Sequence, residues 1–161
     1  MRAVLRLSPV SVVGERISWP RIVLGGEGKS VSLRWYSVVI DCVDVAAQAR
    51  WWAEVLGWQT VYQAPDEVVI VPPHALTKGD STPVEERGPG LVFVPVPESK
   101  QVKNRLHIDL APRAADDQAD EVARLESLGA SRVHVGQPDD ASFVVMADPE
   151  GNEFCVLSSR D

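Results

Sequence analysis

The sequence predicts an α+β fold made of two similar halves, and three observations point to it. The order strand, helix, strand, strand, strand occurs twice. Each helix closes on a leucine–glycine step, "VLGW" at 55–58 and "SLGA" at 127–130. The first strand of each half carries one aspartate among apolar residues, Asp41 and Asp109. A single unit of this kind has too little sheet to bury its helix and both sheet faces, so two must pair. The expected result is two tandem βαβββ modules forming a curved eight-stranded mixed sheet around a cleft.

The elements follow in order. Residues 1–31 keep no period of 2 or 3.6 and read as an N-terminal extension, poorly ordered or loosely docked. Their "GGEGKS" at 25–30 looks like the end of a phosphate-binding loop. The first glycine of that motif falls on Val23, however, and no buried strand leads into a long helix, so a flexible linker is the reading. The folded domain spans 32–161, with modules at about 33–98 and 103–159. "RWYSVVIDCV" is rich in β-branched and aromatic residues and reads as a strand. Asp44 is positioned to cap the helix "VAAQARWWAEVL", which Gly57 stops. "WQTVYQA" and "EVVIVPP" are strands around a Pro-Asp turn. Residues 72–90, with Pro72, Pro73, Pro83 and Pro89, are loop. "GLVFVPV" is a strand whose Pro95 suggests an edge or a bulge. In the second half, "RLHIDL" is a strand, and "DDQADEVARLESL" is a helix capped by Asp116 or Asp117 and ended by Gly129. "SRVHVGQP", "SFVVMADP" and "NEFCVL" are the last three strands.

Composition narrows the function. The 161 residues are 45% hydrophobic and 24% charged, ordinary for one globular domain with a sizeable core. A net charge of −7 argues against a nucleic-acid surface or an anionic membrane surface. No apolar run approaches the roughly 20 residues of a membrane span. The early arginines and short apolar stretch of the N-terminus are broken by Arg6, Pro9, Glu15 and Arg16, so no signal peptide is expected. Two cysteines, Cys42 and Cys155, make no disulfide framework, and a cytoplasmic location is the expectation.

Taken together, "VVIDCVDVAAQARWWAEVLGW", the closing turn "DPEGNEF" and the run "KNRLHIDL" to "EVARLESLGA" to "NEFCVL" carry a resemblance. In this order and spacing the chain resembles the vicinal-oxygen-chelate superfamily, and within it a glyoxalase-like subgroup. The resemblance covers about Trp35 to Leu157 and implies paired βαβββ modules and a small-molecule ligand, aromatic or anionic. A homodimer is also implied. Members with metal chemistry hold one divalent ion between His, Gln or Glu side chains on the first and last strands of each module. Carried over, those four positions fall on Ser37, an apolar residue near Phe93 or Val94, His107 and Cys155. One imidazole and one thiol are too few strong ligands, so no metal and no other cofactor is expected. A divalent metal is the alternative.

What remains is a small-molecule-binding protein that either sequesters a ligand or performs metal-independent acid–base chemistry of the isomerase, lyase or dehydratase type. A metal-dependent lyase or dioxygenase and a non-catalytic interaction module are the alternatives. His107, Asp109 and Asp41 are the catalytic candidates. An imidazole suits proton transfer near neutrality, and carboxylates in apolar strands need a reason to be there. His107 otherwise reads as a satisfied histidine within the sheet. Arg105 shares a strand face with Asp109 and is its expected ion-pair partner. Ser37, Arg105, Trp58 and Cys155 are expected to line the cleft. Cys155 reads either as a nucleophile activated by His107 or as a small buried hydrophobe. Cys42 reads as packing, and at least one of Trp51 and Trp52 as core. "ESKQVKNR" at 98–105 is a basic stretch, either an anion clamp at the cleft mouth or a solvated linker.

Overall fold

The computed structural model describes residues 33–76 and 87–160. The readings for residues 1–31, the phosphate-loop-like stretch included, lie outside the described residues. The elements are β1 (Ser37–Cys42), α1 (Val45–Leu56), β2 (Gln59–Ala64), β3 (Glu67–Val71), a 3₁₀ turn (Pro73–Leu76) and β4 (Gly90–Pro95). They continue with β5 (Asp109–Leu110), α2 (Gln118–Ser127), β6 (Ser131–Arg132), β7 (Phe143–Ala147) and β8 (Glu153–Leu157).

Each βαβββ unit makes its own mixed sheet, ordered β1-β4-β3-β2 and β5-β8-β7-β6. The first strand of each unit runs parallel to the last, and the other pairings are antiparallel. The two orders are the same, which is the structural meaning of the sequence repeat. Among the described residues the eight strands hydrogen-bond as two sheets of four. The cavities lying against the sheets belong to single modules. Each module thus presents its own concavity against its sheet.

The reason lies in what the modules share. Alternation along β1 sends Val38, Ile40 and Cys42 toward the core, and Val39 and Asp41 to the opposite face. In β8 the same rule sends Phe154 and Val156 inward. Both helices sit on these inner faces, and one contiguous cluster joins Trp52, Ile70 and Phe93 of the first module to Leu125, Met146 and Phe154 of the second. Trp51 and Trp52 meet edge to face at 5.1 Å, and each ring packs against Phe154, at 6.0 and 5.4 Å. Such pairs add about 1 kcal/mol each beyond area burial. The indole N–H of Trp51 donates to Leu128 O at 2.9 Å, and Arg124 Nη2 donates to Val55 O at 3.1 Å, so each helix is tied to the C-terminal end of the other.

Helix boundaries follow their caps. Asp44 accepts from Ala47 N at 2.9 Å, and Gly57 closes α1 at φ 63°, a conformation that favours glycine. Asp117, not Asp116, caps α2, accepting from Ala119 N and Asp120 N. Three strand readings need correction. "RLHIDL" is extended only at Asp109–Leu110, and "SRVHVGQP" only at Ser131–Arg132. Pro95 marks no edge: β4 is an inner strand between β1 and β3, and Pro95 is its last residue, where a missing N–H costs the ladder little.

The turn "DPEGN" at 148–152 holds this arrangement together. Asp148 is 4% exposed and accepts hydrogen bonds from Gln48 Nε2 and, at 3.2 Å, Trp52 Nε1, both on α1. Its other oxygen accepts from the backbone of Glu150 at 3.0 Å and Asn152 at 2.9 Å, so one carboxylate shapes its own turn and anchors the opposite module. Burial pushes the Asp148 carboxyl above the ordinary carboxylate range, opposed by hydrogen bonds from Asn152, Trp52 and Glu150. Glu150 accepts from Val43 N and Asp44 N, both at 2.8 Å, at the entry to α1. Replacing Asp148 by alanine leaves Gln48 and Trp52 as buried donors without a partner. Urea denaturation of Asp148→Ala should show a loss of about 3 kcal/mol. A loss below about 0.5 kcal/mol would mean that the junction does not depend on this carboxylate.

Candidate functional site

Register builds the site. β5 lies parallel to β8 with Asp109 directly opposite Cys155, and β7 places Val145 opposite Cys155 on its other side. Glu153, Cys155 and Leu157 alternate onto the face away from the core. With His107, Asp109, Phe143 and Val145 they line a concavity of about 310 Å³. His107 precedes β5 in an irregular stretch, and its Nε2 lies 3.2 Å from Asp109 Oδ1. Their side chains are 45% and 50% exposed, open enough to meet a ligand. Cys155 is 6% exposed, at the floor. One imidazole nitrogen of His107, one carboxylate oxygen of Asp109 and the Cys155 sulfur all lie within 4.8 Å of one another.

The stretch before His107 is fastened to the sheet by Glu153. Lys100 Nζ sits 2.9 Å from Glu153 Oε2, and Asn104 N donates to the same oxygen at 3.0 Å. Burial would raise the Glu153 pKa, but the Asn104 N–H and the Lys100 ammonium outweigh it and hold the carboxyl below its ordinary value. This tie therefore stabilises the fold above the ordinary glutamate range and is lost as pH falls through the depressed pKa. Lys103 lines the concavity itself. Part of the basic stretch 98–105 thus reaches the site, and part of it is spent on holding its own loop.

The predicted site residues divide between modules. His107, Asp109 and Cys155 come together. Asp41 stays on the outer face of β1, and its ladder partner is Val94. It joins neither the cluster nor its concavity. Ser37 pairs with Gly90 and lines a separate concavity of about 300 Å³ with Val61, Val69, Val71 and Val92. Trp58 is partly buried and packs against the core cluster. Arg105 is exposed, and the ion pair of Asp109 is with His107 rather than with Arg105, because the chain is not extended at 105 and strand alternation does not apply there. Sequence reasoning missed Glu153, Phe143 and Val145. Period-two alternation through "NEFCVL" would have put Glu153 on the face of Cys155.

Cys155 is no activated nucleophile in this setting. Burial and the neighbouring Asp109 carboxylate push its thiol up to about 11, with Lys103 pulling weakly the other way. Burial likewise raises Cys42 to about 11, and Cys42 lies in the core. Neither thiol should react with iodoacetamide in the native protein at pH 7.5, and both should react in urea. Because the folded protein keeps these thiol protons to higher pH than the unfolded chain, stability should fall as pH rises from 9 toward 11. Rapid native labelling of Cys155, read by peptide mass spectrometry, would contradict the assignment.

With the geometry in place, likeness to known proteins can be weighed. A family model described as "Glyoxalase-like domain" matches residues 37–157. Comparison with curated proteins gives no match. Among solved structures, the fosfomycin resistance protein FosX from Listeria monocytogenes, complexed with Mn(II) and sulfate, superposes with a TM-score of 0.58 at 11% identity, over 81% of this chain and 92% of that one. A glyoxalase/bleomycin resistance protein/dioxygenase family enzyme from Burkholderia phytofirmans gives 0.52 at 18% identity, over 78% and 98%. A glyoxalase-related enzyme from Fulvimarina pelagi gives 0.51 at 16%, over 77% and 86%. At these identities the structures speak of the fold alone. The family match covers both modules and the turn between β7 and β8, and the chain belongs to the glyoxalase-like domain family.

Proposed function

We propose that the protein binds a small molecule against the open face of β5, β8 and β7 and acts on it through the His107–Asp109 pair. The carrying observation is that pair, 3.2 Å apart and half exposed, beside the apolar walls of Phe143, Val145 and Leu157. Asp109 engages Nε2 of the imidazole, which leaves Nδ1 to exchange a proton with a bound substrate. This is the arrangement by which a carboxylate orients a histidine base. Acid–base chemistry of the isomerase, lyase or dehydratase type fits such a pair. Lys103 at the rim favours a ligand carrying negative charge, and Phe143 favours one with an apolar or aromatic body.

An oxygen-seeking ion such as the Mn(II) of the Listeria FosX structure does not fit the residues present. The positions the family resemblance points to hold Ser37 and an apolar residue near Phe93 or Val94 in one module, and His107 and Cys155 in the other. Of the carboxylates in the concavity, Glu153 is committed to Lys100 and Asn104, which leaves Asp109. Hard divalent ions take six or more oxygens, so no step is assigned to one here.

A second copy of the chain is the proposed partner. The outer face of the first module keeps Val39 and Val61 exposed (58% and 45%), with Trp35 and Tyr36 beside them (69% and 72%). Apolar surface of this kind marks association. Among the described residues no helix is long and apolar enough to cross a membrane. Two unpaired thiols suit a reducing compartment such as the cytoplasm.

Thermal-shift screening of untagged protein in EDTA tests the reading. A library of aromatic and anionic metabolites should contain compounds that raise the melting temperature; a ligand at 100 times its Kd adds about 2.7 kcal/mol. The shift should shrink in His107→Ala and Asp109→Asn. Hits that shift both variants as much as the parent would place the ligand elsewhere. Light scattering should report a dimer that Val61→Glu weakens, and a monomer at every concentration would remove the second-copy proposal.

A further inference from the structure

The stretch between β4 and β5 has neither helix nor strand, yet it carries His107 and Lys103 to the second concavity. We propose that Glu153 is the positioning residue of this site: its carboxylate latches residues 97–107 as a strap along the rim. The latch sets where His107 and Lys103 stand and how far the floor at Cys155 is open. Of residues 97–107, all but Lys100 and Asn104 are exposed. Those two are the ones that meet Glu153. Lys100 Nζ lies 2.9 Å and Asn104 N 3.0 Å from the same oxygen, Oε2. Asn104 Nδ2 also donates to the Glu153 backbone carbonyl at 3.5 Å. Apolar burial contributes little to the fastening, since Val102 and Leu106 are 75% and 88% exposed. Among the described residues, the hydrogen bonds and ion pairs that leave 97–107 run to Glu153 and, from His107, to Asp109.

The Lys100 and Glu153 side chains are mostly shielded from water, so removing one partner strands the other where solvent screens it poorly. Placement in the strand turns this pair into control of the site. Glu153 precedes Cys155 by two residues in β8 and lies on the same face, so latch and floor share one strand. On the strap, Asn104 is held three residues before His107 and directly after Lys103. One anchor therefore sets both the imidazole beside Asp109 and the ammonium at the rim. When the latch opens, the strap swings outward with both groups and gives a ligand its way in. When it closes, base and cation arrive on the ligand together. Control of entry presupposes that a ligand enters this concavity, and so rests on the function proposed for it.

The test uses untagged full-length protein with no ligand added. In Glu153→Ala, amide hydrogen exchange read by mass spectrometry should quicken in the 97–107 peptide by at least about tenfold, the worth of a lost hydrogen bond to a charged group. Peptides from α1 and β7 should keep the parent's rates. Iodoacetamide at pH 7.5 should begin to label Cys155, and Cys42 in the core should stay unlabelled. The His107 imidazole proton signals should move toward those of Asp109→Asn, the signature of an imidazole that has left its carboxylate. Lys100→Met keeps the carboxylate and guards against a Glu153→Ala that does not fold. It should show the same pattern to a smaller degree, and adding it to Glu153→Gln should take that variant no further. Strap exchange, Cys155 labelling or His107 signals that match the parent in Glu153→Ala and Lys100→Met alike overturn the inference. A rise shared by Cys42 and α1 does so too, because it marks general loosening instead of a latch. A ligand screen without hits removes the proposed function and leaves these strap readings standing, so the two proposals fail separately.

Discussion

A buried carboxylate at the junction of two modules is the constraint on which this structure turns. Asp148 takes hydrogen bonds from Gln48 and Trp52 of α1 on one side and from its own turn on the other. Removing a charged group from water is costly, and the cost is offset only when its lone pairs are satisfied in good geometry. Here the satisfaction comes from both modules at once, so the turn, the helix and the tryptophan rings are specified together. Phe154 leaves that turn directly into the aromatic cluster, and the next residue, Cys155, points the other way into the concavity. The position of the candidate site is thus set by the same turn that locks the core.

Local chemistry in the sequence is read out faithfully wherever it acts locally. α1 starts after Asp44 and ends at Gly57 because cap and stop are both encoded within the helix's own neighbourhood. The repeat of the two modules was legible for the same reason. The shortness of β5 and β6 was not, since apolar alternation at 105–110 and 131–138 is compatible with strand but does not supply the partner strand's hydrogen bonds. Likewise the sequence shows that each sheet needs a covered face. It does not show that both helices would be covered by one shared core, with a concavity against each sheet.

The site was legible in part. His107, Asp109 and Cys155 were each identifiable as chemistry-bearing residues in otherwise apolar surroundings. Their meeting depends on the parallel β5–β8 register, a long-range fact. Pairing Arg105 with Asp109 assumed an extended chain at 105, and the chain bends there to carry His107 over the carboxylate instead. Asp41 looked equivalent to Asp109 by the repeat. Equivalence of position in a repeat does not bring two residues together; it places one in each module.

The Asp148 junction also has a consequence for how the chain is made. Its partners on α1 precede it by 100 and 96 residues. A polypeptide emerging from the ribosome at about 5–20 residues per second waits roughly 5–20 seconds between the two. Throughout that interval Trp51 and Trp52 have no Phe154 to pack on, and the N-terminal module is a nascent intermediate with an open aromatic socket. Until β8 has emerged, the aromatic rings of the first helix lack the strand that seals them.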